Sequence, residues 1–260
     1  MKISGLEKLT LTDYPGHLAS ILFLEGCNFR CPFCQNSSLV VSDPTLPKSL
    51  ASPVIPPDSV LRFLKKRAGI LDGVCISGGE PTLHHDLPEL IRQIRELGYL
   101  VKLDTNGTNP EMLQELLNNH LLDYVAMDIK AGRSNYRKVA GLLQETDKCH
   151  ALSTSEDSKK NTTAHLLSAV QESAALLMDS SIAYEFRTTV VKGLHTDEDF
   201  TDISEWIKGC SRYFLQTFRN CDSVLMKNHR FSAFSGNEMH HFLELVKKNI
   251  PGAAIRGDEE

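Results

Sequence analysis

Three cysteines crowd into one short stretch, Gly26-Cys27-Asn28-Phe29-Arg30-Cys31-Pro32-Phe33-Cys34, with the spacing C-x3-C-x2-C. Three thiolates can hold a cubane iron-sulfur cluster by three of its corners, which leaves the fourth iron without a protein ligand. An iron with an open position can bind and reduce a small molecule instead of only passing electrons on. Two other chemistries use cysteines at such spacing. A structural zinc site needs four protein ligands, usually in two separated pairs, and no matching C-x-x-C follows here. A dithiol redox site competes more closely, because Cys31-Pro32-Phe33-Cys34 after a strand has the C-x-x-C form of thioredoxin-like proteins. That use leaves Cys27 without a role.

Such a loop needs a scaffold, and the rest of the chain reads as alternating strands and helices. The periodicity predicts strands at 18–24, 73–77, 99–104, 124–127, 183–191 and 213–217. Helices are expected from Asp58, over about 86–97, after Pro110, and over about 164–178, 197–208 and 237–248. Asp58 is placed to cap the first of these, with Val60, Leu61 and Leu64 as its apolar face. Within residues 1–17, Asp13-Tyr14-Pro15-Gly16 reads as a turn feeding the first strand. Six strand-helix units imply an α/β fold of parallel strands, either doubly wound or curled into a barrel that lacks two of the usual eight units. Prolines 44, 47, 53, 56 and 57 make 42–58 an extended surface loop, and the polar stretch 144–163 reads as a mobile insertion. The tail 257–260 is expected to fray.

In parallel α/β folds the site lies at the carboxyl ends of the strands. The cysteine loop follows the first strand, Ser77-Gly78-Gly79-Glu80-Pro81 ends the second, Asp104-Thr105-Asn106-Gly107 the third, and Asp128-Ile129-Lys130 the fourth. Singly, each has an ordinary reading as a turn or a surface ion pair. Together they point to one site. Gly78 and Gly79 let a ligand approach the backbone, Glu80 can accept from an ammonium group, and Asp104 and Lys130 can receive hydroxyls and a carboxylate.

Composition narrows the function classes. With 260 residues and 41% hydrophobic composition, one domain over 1–260 is expected. A net charge of -5 and a pI near 6.1 provide no electrostatic footprint for nucleic acid, and Lys65-Lys66-Arg67 reads as a solvated helix face. Seven cysteines with no regular framework, no signal peptide and no apolar run of membrane-spanning length point to a reducing, cytoplasmic setting without membrane association. Cys75, Cys149, Cys210 and Cys221 are scattered and receive no role.

The conjunction of C-x3-C-x-aromatic-C at Cys27, Cys31, Phe33 and Cys34 with Gly78-Gly79-Glu80 resembles the radical S-adenosylmethionine (SAM) superfamily. Within it the chain looks like the activating enzymes of glycyl-radical enzymes. Asp13-Tyr14-Pro15-Gly16, Asp104-Thr105-Asn106-Gly107, Asp128-Ile129-Lys130 and Arg187-Thr188-Thr189-Val190-Val191-Lys192-Gly193 carry that likeness, over most of residues 5–220. The opening, 5–36, is most similar to the activating proteins of anaerobic ribonucleoside-triphosphate reductase in their longer, pyruvate formate-lyase-activase-like form.

The resemblance implies a partial (βα)6 barrel and one 4Fe-4S cluster on Cys27, Cys31 and Cys34, with SAM on the open iron. It puts Phe33 by the adenine, Gly78, Gly79 and Glu80 at the methionyl amino end, and Asp104 and Lys130 at the ribose or carboxylate. Gln35, Thr105, Asn106, Asp128 and Arg187 complete the cofactor-binding set that it implies. The implied reaction is reductive cleavage of SAM to a 5'-deoxyadenosyl radical that abstracts hydrogen from a glycine in the glycyl-radical domain of a partner enzyme. A flavodoxin or ferredoxin is the implied electron donor. Two departures stand out. Gln216-Thr217-Phe218-Arg219 occupies the place where pyruvate formate-lyase activases carry a His, and 144–163 has no counterpart. No cysteine lies between Cys34 and Cys75, so no second cluster is expected. The alternatives are a pyruvate formate-lyase-type activase, a small-molecule radical enzyme such as the deazapurine synthases, and a dithiol oxidoreductase on Cys31 and Cys34.

Overall fold

The structure, a computed structural model, describes residues 1–40, 54–142, 156–226 and 231–257, with the backbone alone over 156–164. The chain divides into two compact units. The first holds Met1–Asn28, Asn36–Met127 and Ser180–Tyr184, the second Phe29–Gln35, Asp128–Asp179 and Glu185–Glu260.

The first unit runs through β1 (Ile3–Thr10), β2 (Ala19–Leu24), α1 (Ser37–Val40), α2 (Pro57–Lys65), β3 (Gly73–Gly78), α3 (Leu87–Glu96), β4 (Leu100–Thr105), α4 (Pro110–Asn118) and β5 (Tyr124–Asp128), whose last residue belongs to the second unit. Its strands lie in sequence order, with β1 antiparallel to β2 and β2 to β5 mutually parallel. Parallel neighbours need a crossover, and the helices supply it. Leu22, Leu24, Val74, Ile76, Val101, Leu103 and Val125 are wholly buried. Those strands read as unbroken apolar runs because both of their faces are covered.

The second unit contains α5 (Tyr136–Val139), α6 (Glu156–Asp179), β6 (Ala183–Val190, its first two residues in the first unit), α7 (Asp197–Trp206), β7 (Tyr213–Thr217), α8 (Gly236–Lys247) and β8 (Ala254–Arg256). β6, β7 and β8 are parallel. Phe200 of α7 stacks on Phe242 of α8 with ring centroids 4.4 Å apart. Capping boxes close both helix starts, Thr196 with Asp199 and Ser235 with Glu238.

The six expected strands are present, and four local expectations need correction. Residues 3–10 form β1, a strand that was not expected, and the turn expected at Asp13-Tyr14-Pro15-Gly16 follows it, with the His17 N–H on Tyr14 O at 3.0 Å. β1 exposes Glu7, Lys8 and Leu9 and carries no alternation; pairing with β2, from Ile3 opposite Leu24 to Thr10 opposite Ala19, makes it a strand. β8 was missed because three residues are too few to show a period. Asp58 does not cap α2: the cap residue is Pro56, Pro57 opens the helix, and Asp58 sits in the first turn, where a carboxylate complements the helix dipole. Helix α6 begins at Glu156, so 156–163 is helical where an insertion without structure was expected. Once nucleated, a helix propagates by one hydrogen bond per residue and can run past the last position that faces a core. Residues 144–155, the prolines at 44, 47 and 53, Cys149 and the tail 258–260 lie outside the described residues. Among the described residues no helix is long and apolar enough to cross a membrane.

Candidate functional site

In the first unit the chain packs against itself where the sequence suggested room for a ligand. Gly78 has φ +131, and a Cβ there would lie 2.3 Å from the Leu24 carbonyl oxygen; on Gly79 it would lie 2.0 Å from that of Gly26. The Gly79 N–H donates to Leu24 O at 2.9 Å and the Glu80 N–H to Gly26 O at 2.7 Å. The two glycines thus let the end of β3 seat against the backbone that leads into Cys27. Because the obstacle is main chain, no rotamer can relieve it. Gly79→Ala is expected to destabilise the chain by about 1–3 kcal/mol, read as a lowered urea midpoint; an unchanged midpoint would show that this seat is not tight.

Glu80 is wholly buried. Its Oε1 accepts from the Thr82 N–H (3.1 Å), the Thr82 hydroxyl (2.5 Å) and the Thr105 hydroxyl (2.8 Å), and its Oε2 accepts from the Asn106 N–H at 2.6 Å. Burial pushes its carboxyl up from the ordinary value, against the pull of those donors. The carboxylate expected to meet an ammonium group therefore ties the end of β3 to the end of β4.

Asp104 is held in the same way. Lys102, only 2% exposed, pairs with its Oδ1, and the Ser77 hydroxyl donates to its Oδ2 at 3.1 Å. Asn106, also buried, places its Nδ2 3.9 Å from Cys27 Sγ and 2.9 Å from Asn28 Oδ1. Thr105 accepts the Gly107 N–H at 3.0 Å. Cys75, Ser77, Lys102 and Asp104 form one polar group, and Glu80, Thr82, Thr105 and Asn106 form a second. The Lys102 Nζ also lies 3.5 Å from Cys75 Sγ, a contact between two residues that sequence reading left without a role.

The second unit carries the other half of the loop. Cys34 N–H donates to Cys31 O, Leu225 N–H to Cys34 O and Met226 N–H to Pro32 O, each at 3.0 Å, and Arg30 N–H donates to Ala140 O at 3.0 Å. Phe33 is buried. Gln35 is exposed and its amide donates to the Arg219 carbonyl, so Arg219 meets the loop through its backbone. The Lys130 ammonium lies 2.8 Å from Asp128 Oδ2, and Arg187 binds Asp128 Oδ1. Burial alone would push the Asp128 carboxyl up, but Arg187 and Lys130 outweigh it and hold the group well below the usual carboxylate range. Lys130 is pushed above the ordinary lysine value, against its burial, by Asp128 and then by Cys31. His195 fixes the carbonyl of Lys130 through its Nε2 at 2.8 Å while its Nδ1 accepts the Val191 N–H at 3.0 Å.

The residues present suit an iron-sulfur cluster. Thiolates are the donors such clusters take, and none of the six cysteines in the described residues is in a disulfide. Asn106 offers an N–H to Cys27, and Lys130 is near enough to Cys31 for each to feel the other's charge. Cys210, by contrast, is an inert core thiol whose pKa burial pushes up to about 12. Sequence reading missed Asn28, Thr82, Lys102, Thr108 and His195. Polar side chains that bond only to the chain itself have no motif; the one available signal was the period-two spacing of Lys102 and Asp104 on a strand.

Comparison with known proteins gives the family of the chain. The model of the radical SAM superfamily matches residues 21–207. A Methanocaldococcus jannaschii protein named provisionally as a glycyl-radical enzyme activating enzyme is 31% identical over 255 residues, covering 98% of this chain and 95% of that protein. The 7-carboxy-7-deazaguanine synthase of Aquifex aeolicus is 33% identical over 85 residues, 33% of this chain and 34% of that one. Among solved structures, SuiB of Streptococcus suis superposes with a TM-score of 0.62 at 14% identity, over 91% of this chain and 48% of SuiB. SuiB bound to S-adenosylmethionine gives 0.60 over 91% of this chain and 52% of SuiB. The chain thus spans about half the length of SuiB, and at that identity the likeness carries the fold alone. It is the α/β fold of parallel strands that six strand-helix units led us to expect. The chain is a radical SAM enzyme, and the cofactors that go with that chemistry are a 4Fe-4S cluster and S-adenosylmethionine. Its place by descent is settled by the match over 21–207: it belongs to the radical SAM superfamily.

Proposed function

We propose that the chain activates a glycyl-radical enzyme, that Cys27, Cys31 and Cys34 hold its one 4Fe-4S cluster, and that 1–260 acts as one catalytic domain in the cytoplasm. The observation that carries the reading is the likeness to the M. jannaschii activating-enzyme relative over 98% of the chain. The opening residues 5–36 favour anaerobic ribonucleoside-triphosphate reductase as the partner, and the activating-enzyme resemblance implies a flavodoxin or ferredoxin as the donor.

When bound, the cluster and SAM supply a one-electron cleavage whose product removes hydrogen from a glycine of the partner. The chain's own residues hold and orient. Glu80 and the Gly78-Gly79 seat fix the strand end beside Cys27, leaving the backbone there to receive the methionyl end of SAM. Asp104 is paired with Lys102, and its partly exposed carboxylate can accept ribose hydroxyls. Lys130, Asp128 and Arg187 together carry one net positive charge, suited to a carboxylate. Cys31, Pro32 and Phe33 are buried, which keeps water from that part of the loop.

The shorter likeness to 7-carboxy-7-deazaguanine synthase supports a second reading, a radical SAM enzyme with a small-molecule substrate. The test is the electron paramagnetic resonance spectrum of anaerobically reconstituted, dithionite-reduced protein with and without SAM, followed by addition of the reductase. A cluster signal that changes with SAM, 5'-deoxyadenosine in the quenched sample and a doublet from a glycyl radical on the reductase are the expected results. Cleavage without the doublet on any glycyl-radical enzyme would favour the small-molecule reading, and no cluster would end both.

A further inference from the structure

The amide of Asn106 has only one possible orientation. Its Oδ1 accepts the backbone N–H of Thr108 at 3.0 Å, and a backbone N–H can only donate. The NH2 end must therefore face the other way, toward Asn28 Oδ1 (2.9 Å) and Cys27 Sγ (3.9 Å). The assignment then propagates around a closed ring. Asn28 has its oxygen on Asn106, so its Nδ2 donates to Thr108 Oγ1 at 2.7 Å; that hydroxyl must in turn donate to Asn106 Oδ1, also at 2.7 Å. One N–H of Asn106 closes the ring, and the other is left for the cysteine sulfur. Asn106 is 5% exposed, and its own backbone N–H is fixed on Glu80 Oε2.

We propose that Asn106 is a positioning residue whose side-chain N–H sets the reduction potential of the cluster through Cys27, with the backbone N–H of Thr108 fixing its direction. This rests on the cluster reading above. Adding one electron places more negative charge on the cluster and its thiolate sulfurs, with no bond made or broken. A fixed N–H aimed at a sulfur stabilises the reduced form more than the oxidised one, so it raises the potential. The fixed direction matters because a donor already oriented needs no rearrangement when the charge arrives.

The test is a redox titration of anaerobically reconstituted protein with titanium citrate, followed by the resonance signal of the reduced cluster, in wild type, Asn106→Asp, Asn106→Ala and Thr108→Val. Asn106→Asp keeps the shape and the acceptor but removes the donor. Both Asn106 variants should be harder to reduce by about tenfold in the equilibrium constant, a drop of about 59 mV for a one-electron couple. Thr108→Val opens the ring but leaves the backbone N–H that orients Asn106, so its potential should stay near that of the wild type. Equal potentials in wild type and both Asn106 variants, or an equal drop in Thr108→Val, would overturn the inference while the cluster reading stood. A wild-type protein that takes up no cluster would instead remove the reading on which it rests.

Discussion

Replacing Cys27 by alanine is expected to reduce iron uptake and SAM cleavage to below about one hundredth of wild type. Loss of an outer-sphere partner already costs roughly 10–100-fold in metal affinity, and a ligand supplies more than its partner does. Cys31→Ala and Cys34→Ala should behave alike, because three corners are the fewest that leave one iron open while holding the rest. The experiment discriminates sharply, since the dithiol alternative assigns all chemistry to Cys31 and Cys34. On that alternative Cys27→Ala would keep its activity and require no iron. Iron and sulfide per chain, together with 5'-deoxyadenosine yield under dithionite, decide the matter. Cys75→Ser and Cys210→Ser provide comparison variants, and Cys210 is 7% exposed with a thiol that burial keeps protonated. They should retain iron even where they lose some stability.

The second large effect is expected at Glu80. Both of its oxygens face a backbone N–H, Oε1 that of Thr82 and Oε2 that of Asn106. Hydroxyls can rotate to accept, but backbone N–H groups cannot. A glutamine would have to aim its NH2 at one of them whichever way it turned, and Glu80→Gln should cost about 2–3 kcal/mol. Glu80→Ala removes every acceptor, leaves the donors buried and should cost about 4 kcal/mol or more.

The pH dependence carries a further signature. Burial raises the folded-state pKa of Glu80 above its ordinary 4.5. Its contribution to stability is then fully present below 4.5 and is lost as pH rises through the raised folded value. Glu80→Gln does not titrate, so that decline should vanish, and the gap between variant and wild type should narrow as pH rises across the window. Urea midpoints at several pH values measure it. A constant gap would mean that Glu80 keeps its ordinary pKa in the fold. Because Glu80 fixes the backbone of Asn106, Glu80→Gln should also loosen the Asn106 contact with Cys27.

The cysteine spacing, the Gly-Gly-Glu strand end and the strand-helix period were all legible in the sequence. Each rests on short-range covalent geometry or on apolar patterning along a few residues. The six parallel strands followed from the same patterning, since buried parallel strands announce themselves as apolar runs such as Ile21 to Leu24 and Val74 to Ile76. β1 did not, because its order comes from hydrogen bonds to β2 rather than from its own side chains. The functions of individual polar residues were the least legible. Gly78 and Gly79 were singled out as room for a ligand, and what presses on them in the structure is the backbone of Leu24 and Gly26, residues more than fifty positions away in the chain. Glu80 and Asp104 were marked by type, and Asn106 by the resemblance, as ligand contacts. Only the fold gives Glu80 four internal donors, pairs Asp104 with Lys102 and points the Asn106 amide at Cys27. The sequence by itself determined the candidates for the chemistry, because that depends on functional groups and spacing. The tertiary structure decided which of them serve the others, because a hydrogen bond between distant residues exists only once the chain has brought them within about 3 Å.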